Sequence, residues 1–166
     1  MGLFDFLKKG KKQEQEENYI EIYSPLNGRV IDLSEVPDEA FAEKMIGDGC
    51  AIEPSEGSVF AIADAEIDIF DTNHAVSFDI DDLEMIVHFG IDTVKLDGKG
   101  FERLVEPGNV KKGDELVKYD LDFIKENAKS TRTPVIISNM EDVAEIKVVA
   151  SGEVKAGDLL MKVKLK

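Results

Sequence analysis

Cysteine is nearly missing from this 166-residue sequence, occurring only as Cys50, and tryptophan is missing altogether. A lone cysteine excludes an intramolecular disulfide and a cysteine-only metal site, and it favours a reducing compartment. Basic residues are also scarce: 20 Lys and Arg face 35 Asp and Glu, for a net charge of -15. That balance argues against nucleic-acid binding, which draws on clustered basic residues facing phosphate. It fits a basic protein partner instead. No apolar run approaches the ~20 residues of a membrane span, and the N-terminus lacks the apolar stretch and cleavage site of a secretory signal. What remains is 43% apolar and 33% charged, enough for one globular domain with a real core. The expectation is an acidic, single-domain, cytoplasmic protein.

Residues 1–18 differ in composition from the rest. Leu3, Phe4, Phe6 and Leu7 stand beside Lys8 and Lys9, and a polar tract runs from Lys11 to Asn18. Two readings are open: a short helix resting on an anionic bilayer, lysines toward the headgroups, or a disordered tail. N-myristoylation is excluded, because Phe6 stands where the signal needs Ser or Thr.

From Tyr19 onward, turn signals such as Pro25-Leu26-Asn27-Gly28, Gly47-Asp48-Gly49, Asp81-Asp82 and Pro107-Gly108 separate short Val/Ile/Leu/Phe runs. Strands at this spacing predict an all-β sandwich or barrel over residues 19–166. Helix is scarce. Asp38 to Met45, behind Pro37, and Leu121 to Ala128 each allow one or two turns. A weak internal echo relates Gly108–Leu116 to Gly152–Leu160: in both, a β-branched residue and lysine lead into Gly-Asp and a fresh apolar run. The physical basis is a tight turn with Gly at φ > 0 and Asp capping the returning backbone.

The chain has two histidines. His74 precedes the strand-like Ala75–Ile80, and His88 closes Leu83–Val87, with Asp81-Asp82 as the turn between. The simplest reading is an antiparallel hairpin with one histidine on each strand. Their separation, 14 residues, is even. An odd-length loop such as Ile80-Asp81-Asp82 then sets His74 directly opposite His88, with Cβ atoms roughly 4.5–5.5 Å apart. Three uses remain open on spacing alone. One imidazole takes a phosphoryl group while the other donates a hydrogen bond to it. Alternatively both bind zinc, with further ligands from a carboxylate or a partner. In the third case they simply fill half-buried space.

Asp71-Thr72-Asn73-His74-Ala75 and Val87-His88-Phe89-Gly90-Ile91-Asp92-Thr93-Val94 resemble the two active-site segments of the glucose-type enzyme IIA proteins. These belong to the bacterial phosphoenolpyruvate:sugar phosphotransferase system. Further similarity lies in Val36-Pro37-Asp38 with Phe41-Ala42-Glu43-Lys44, and in Lys129–Met140, so that it covers nearly the whole chain.

The resemblance implies an antiparallel β-sandwich or barrel of the duplicated hybrid motif type, with one or two very short helices. It also implies a phosphocarrier. His88 would receive the phosphoryl group from the phosphorylated histidine carrier protein and pass it to a cysteine of a sugar-specific IIB domain. His74 would stabilise the phosphorylated ring and Thr72 would orient His74. Phe41, Phe70 and Ile86 would form an apolar collar for partners, with Asp38 and Asp92 at its rim. Strand alternation independently sets Ile86 on the face of His88, while Phe41 and Phe70 equally fit plain core positions. No cofactor is required, and zinc at His74 and His88 is expected only in a complex. Expected partners are the carrier protein, the IIB/IIC permease, regulated transporters or metabolic enzymes, and a membrane surface through residues 1–10.

The sequence also departs from the family pattern. The histidine spacing is one residue shorter than usual, with Asp81-Asp82 in place of a glycine-containing turn, which burdens the positive-φ positions of a hairpin. Ala61-Ile62-Ala63-Asp64-Ala65 replaces Ala-Pro-x-Asp-Gly, and the Gly108–Asp114 stretch is contracted. Rival classes fare worse. A zinc peptidase of related architecture needs a His-x-His pair, and a lipoyl or biotinyl carrier needs a lysine at a hairpin tip. A regulatory binding protein that keeps the fold but not the transfer stays compatible. Cys50 opens an apolar run and reads as a small buried hydrophobe.

Overall fold

Alternation of apolar and polar residues builds most of this molecule. In Ala65–Ile69, Ile67 and Ile69 turn inward while Glu66 and Asp68 face water, and in Leu83–His88 the inward set is Leu83, Met85 and Val87. The computed structural model describes residues 18–166, and the expectations for Met1–Glu17 lie outside the described residues. The strands are β1 (Tyr19–Tyr23), β2 (Gly28–Ile31), β3 (Asp48–Pro54), β4 (Ser58–Phe60), β5 (Ala65–Ile69), β6 (Ala75–Ile80) and β7 (Leu83–His88). They continue with β8 (Phe101–Arg103), β9 (Gly108–Val110), β10 (Glu115–Tyr119), β11 (Thr133–Ile137), β12 (Val143–Val148), β13 (Gly152–Val154) and β14 (Leu159–Leu165).

An eight-stranded antiparallel sheet runs β13-β2-β3-β11-β7-β6-β5-β9, and two three-stranded sheets, β1-β14-β12 and β4-β10-β8, accompany it. The arrangement is sandwich-like, with no closed barrel among the described residues. Among the described residues, helix is confined to α1 (Glu39–Ala42), α2 (Leu121–Asn127) and a few 3₁₀ turns. Both helices start where a side chain can satisfy free N–H groups. Asp38 caps α1 through Ala40 and Phe41, and Asp120 caps α2 through Phe123.

The Gly-Asp echo is a real structural repeat. Asp114 Oδ2 accepts from Lys111 N–H at 2.9 Å, and Asp158 Oδ2 accepts from Lys155 N–H at 2.8 Å. Gly113 and Gly157 sit at φ 88° and 92°. Each turn then docks in the same way. Gly113 N–H reaches Ala61 O at 3.0 Å and Lys112 N–H reaches Asp64 Oδ1 at 2.9 Å. Gly157 N–H likewise reaches Ser24 O at 2.9 Å and Ala156 N–H reaches Asn27 Oδ1 at 2.8 Å. Between the two halves, Tyr23 N–H donates to Ile62 O at 2.9 Å and Phe60 N–H to Pro25 O at 2.8 Å. Asp64 thus does in the altered Ala61–Ala65 segment what Asn27 does in its counterpart.

The main core fills the space between the sheets, with Phe78 and Phe89 at 0% and 1% exposure, each burial contributing on the order of 1.5–3 kcal/mol. A smaller cluster of Ile31, Leu33, Val36, Phe41, Ala51, Ile91 and Ile136 lies apart from it, with Ile86 packed alongside. This second cluster carries the site.

Candidate functional site

β7 delivers His88 at its last residue, and the connection from β5 to β6 delivers His74. The hairpin turn contains only Asp81 and Asp82: Ile80 pairs with Leu83, and Ala75 stands opposite His88. The sequence-based register, with His74 opposite His88, is therefore off by one residue, and His74 precedes β6 instead of lying on a strand. The Gly-free turn is accommodated because Asp81 takes the positive φ, 54°, a region that Asp tolerates better than most residues.

The histidines meet all the same. Their ring centroids are 4.9 Å apart with the planes at 77°. Strand alternation does not govern His74, which follows Asn73 at φ 59° and a bent loop. Phe89 N–H donates to the His74 carbonyl at 2.8 Å and holds the backbone against β7.

Both rings have defined partners. His88 Nδ1 lies 2.7 Å from the Gly90 carbonyl. A carbonyl only accepts, so Nδ1 carries the hydrogen and Nε2 keeps its lone pair. Gly90 sits at φ 79°, and a Cβ there would meet Ser130 O at 2.6 Å and Thr93 Cγ2 at 2.8 Å, so only glycine presents that carbonyl without strain. Thr72 Oγ1 lies 2.5 Å from His74 Nδ1. A hydroxyl that donates there leaves the hydrogen of His74 on Nε2.

Burial pushes the His74 pKa down to about 4, helped by the His88 charge. Burial also lowers that of His88, partly offset by the Gly90 carbonyl and by Asp38. Both rings are thus neutral near pH 7. One offers a lone pair, and the other can offer an N–H. Such a pair can form a bond to an electrophile and hydrogen-bond the resulting adduct.

Around the rings the side chains are mostly aromatic. Phe41 is 7% exposed and its ring lies 5.2 Å from that of His88. Phe70 is 37% exposed and meets His74 edge-on at 5.4 Å. Ile86 is half-buried against the small core cluster that includes Phe41. Asp38 spends its Oδ1 on the α1 cap, and Asp92 lies 3.7 Å from Lys95 as an ion pair. Cys50 is buried in β3, and burial pushes its thiol up to about 12, as suits an inert core residue.

Sequence reasoning gave no role to the Gly90 carbonyl or to the exposed apolar residues Met45, Ile46 and Val94, 71%, 40% and 50% accessible. Glycine beside a histidine was a readable signal for the first. No periodicity marks the others, which lie in turns next to α1 and after β7.

The family model for the phosphoenolpyruvate-dependent sugar phosphotransferase system, EIIA 1, matches residues 20–143. The chain belongs to this family. It is 44% identical over 161 residues to the glucose-specific EIIA component of Haemophilus influenzae, covering 95% of each. It is 47% identical over 146 residues to the glucose-specific EIICBA component of Staphylococcus carnosus, matching 86% of this chain but 22% of that longer protein. The fold matches glucose permease IIA from Mycoplasma capricolum with a TM-score of 0.82 and 36% identity, over 87% of this chain and 95% of the other. The expected family and sandwich fold are borne out. As an EIIA protein the chain is a phosphocarrier component of the sugar phosphotransferase system.

Proposed function

We propose that His88 Nε2 takes a phosphoryl group from the phosphorylated histidine carrier protein and hands it to a cysteine of a sugar-specific IIB domain. In the first step the Nε2 lone pair forms an N–P bond as the donor's N–P bond breaks, its electron pair returning to the donor imidazole. In the second, the cysteine sulfur bonds phosphorus and the pair returns to Nε2. The observation that carries this reading is the pair of imidazole rings 4.9 Å apart, with His88 Nδ1 tied to Gly90 O at 2.7 Å. His74, oriented by Thr72, donates its N–H to the phosphoryl oxygens.

Phe70 and Ile86, with Phe41 packed behind them against His88, form the apolar collar that partners cover. Asp38 and Asp92 stand at its rim and favour a basic donor. Relatives in which EIIA is fused within EIICBA components support IIB and IIC as the receiving side. The setting is the cytoplasm, with residues 1–10 giving peripheral contact to an anionic membrane. The phosphorylation state serves regulation as well, and in a regulatory complex His74 and His88 would supply two zinc ligands, the partner completing the set.

Incubation with phosphoenolpyruvate and the two general phosphotransferase proteins, followed by intact mass, tests the reading. One acid-labile phosphoryl group on the chain supports it. An unmodified chain leaves only a regulatory binding role.

A further inference from the structure

Arg103 belongs to β8, in the β4-β10-β8 sheet, where it pairs with Val117. Its side chain leaves that sheet. Nε donates to Asn73 Oδ1 at 3.0 Å, and Nη2 lies 3.4 Å from the carbonyl oxygens of both Ile69 and Phe70. These acceptors frame the loop that carries Thr72 and His74. The loop closes on itself through Phe70 N–H to Ala75 O at 3.0 Å and Asn73 N–H to Phe70 O at 2.7 Å. Among the described residues, the hydrogen bonds it receives from other elements are those of Arg103 and the one from Phe89 N–H to the His74 carbonyl.

We propose that Arg103 is a positioning residue for the transfer: its guanidinium, anchored in a different sheet, fixes the loop so that Thr72 and His74 hold their places beside His88. A planar fork suits acceptors that diverge around it, whereas a lysine offers a single point charge. Asn73 is the natural handle. Its left-handed backbone, φ 59°, suits Asn, Asp or Gly, and Asn, unlike Gly, brings the side-chain oxygen that Arg103 binds. The kinetic half of this inference rests on the phosphoryl-transfer reading above; the ring-orientation half does not.

Arg103→Met, Arg103→Lys and Asn73→Gly in the full chain test it, using long-range ¹H–¹⁵N spectra of the imidazoles alongside rates of acceptance and onward transfer. Arg103→Met and Asn73→Gly should each shift the His74 ring nitrogens and leave those of His88 in place. Acceptance on His88 should stay within about twofold. Onward transfer should fall roughly tenfold or more, since small misplacements of a catalytic group carry penalties of that order. Arg103→Lys should recover part of the loss, and Arg103→Met with Asn73→Gly should be no slower than the worse single change, as for two ends of one contact. Unmoved His74 resonances in both single variants would overturn the proposal. So would losses that multiply in the double variant, or acceptance and transfer falling together with melting temperature. A wild-type chain that accepts no phosphoryl group would sink the transfer reading instead, and the His74 spectra would still decide on Arg103.

Discussion

His74 and His88 bring their rings to 4.9 Å although Ala75, not His74, stands opposite His88 in the β6–β7 ladder. The pairing of the rings comes from the loop ahead of β6, which carries His74 out of strand alternation. His88 is thus set by a rigid sheet, and His74 by loop contacts. This divides the expected effects of mutation.

Thr72 should matter for transfer more than for folding. Thr72→Val keeps the side-chain shape but removes the hydroxyl 2.5 Å from His74 Nδ1. Without that hydroxyl the His74 ring loses the contact that orients it, and since a small misplacement of a catalytic group can cost up to about a hundredfold, onward transfer should fall roughly ten- to a hundredfold while His88 still accepts. Thr72→Ser should restore most of the rate. Stopped reactions with labelled donor would measure both.

Gly90→Ala should damage both stability and acceptance. At φ 79° with a Cβ 2.6 Å from Ser130 O, the backbone must shift, at a cost of roughly 2–4 kcal/mol. The carbonyl on His88 Nδ1 moves with it. A lower urea midpoint together with slower acceptance is the expected pair of results.

Stability should fall on acidification. The His74 pKa drops from 6.5 to about 4 on folding, so between these values the unfolded chain binds a proton that the folded chain does not. Stability is then flat above about pH 6.5 for this group and decreases as pH falls toward 4. His88, also lowered, acts in the same direction. Urea unfolding at pH 7.5 and 4.5 should show a smaller difference for His74→Gln than for the wild type.

The repeated turns give a check on the fold. Asp114→Ala and Asp158→Ala each remove the acceptor for one backbone N–H, Lys111 or Lys155. Each should cost about 0.5–1.5 kcal/mol, and the two losses should be alike in thermal unfolding.

Much of this architecture was legible in local chemistry. Pro37 marked the first helix just behind it and the Leu121–Ala128 stretch the second, while the capping carboxylates Asp38 and Asp120 that fix where each begins emerge in the structure. The Gly-Asp echo marked the two turns, because each needs a positive φ and an acceptor. The pairing of β1 with β14, or of β4 with β10, was not legible, since it joins segments far apart in sequence and only the assembled core selects it. The hairpin register failed for a related reason. Two- and three-residue turns both fit Ile80-Asp81-Asp82, and the choice depends on Asp81 accepting φ 54°. In the site, Phe41 and Phe70 looked equivalent in sequence, yet one is buried against His88 and the other half-open beside His74. That difference follows from α1 folding over the small core cluster.

The central claim is the division of labour between the two histidines, and mass spectrometry after donor treatment tests it most directly. His88→Gln should carry no phosphoryl group, because an amide nitrogen has no lone pair basic enough to attack phosphorus. His74→Gln should still be phosphorylated, since its amide N–H₂ donates to a phosphoryl oxygen, while onward transfer drops on the order of a hundredfold. A phosphoryl adduct on His88→Gln, or none on a folded His74→Gln, would contradict the assignment.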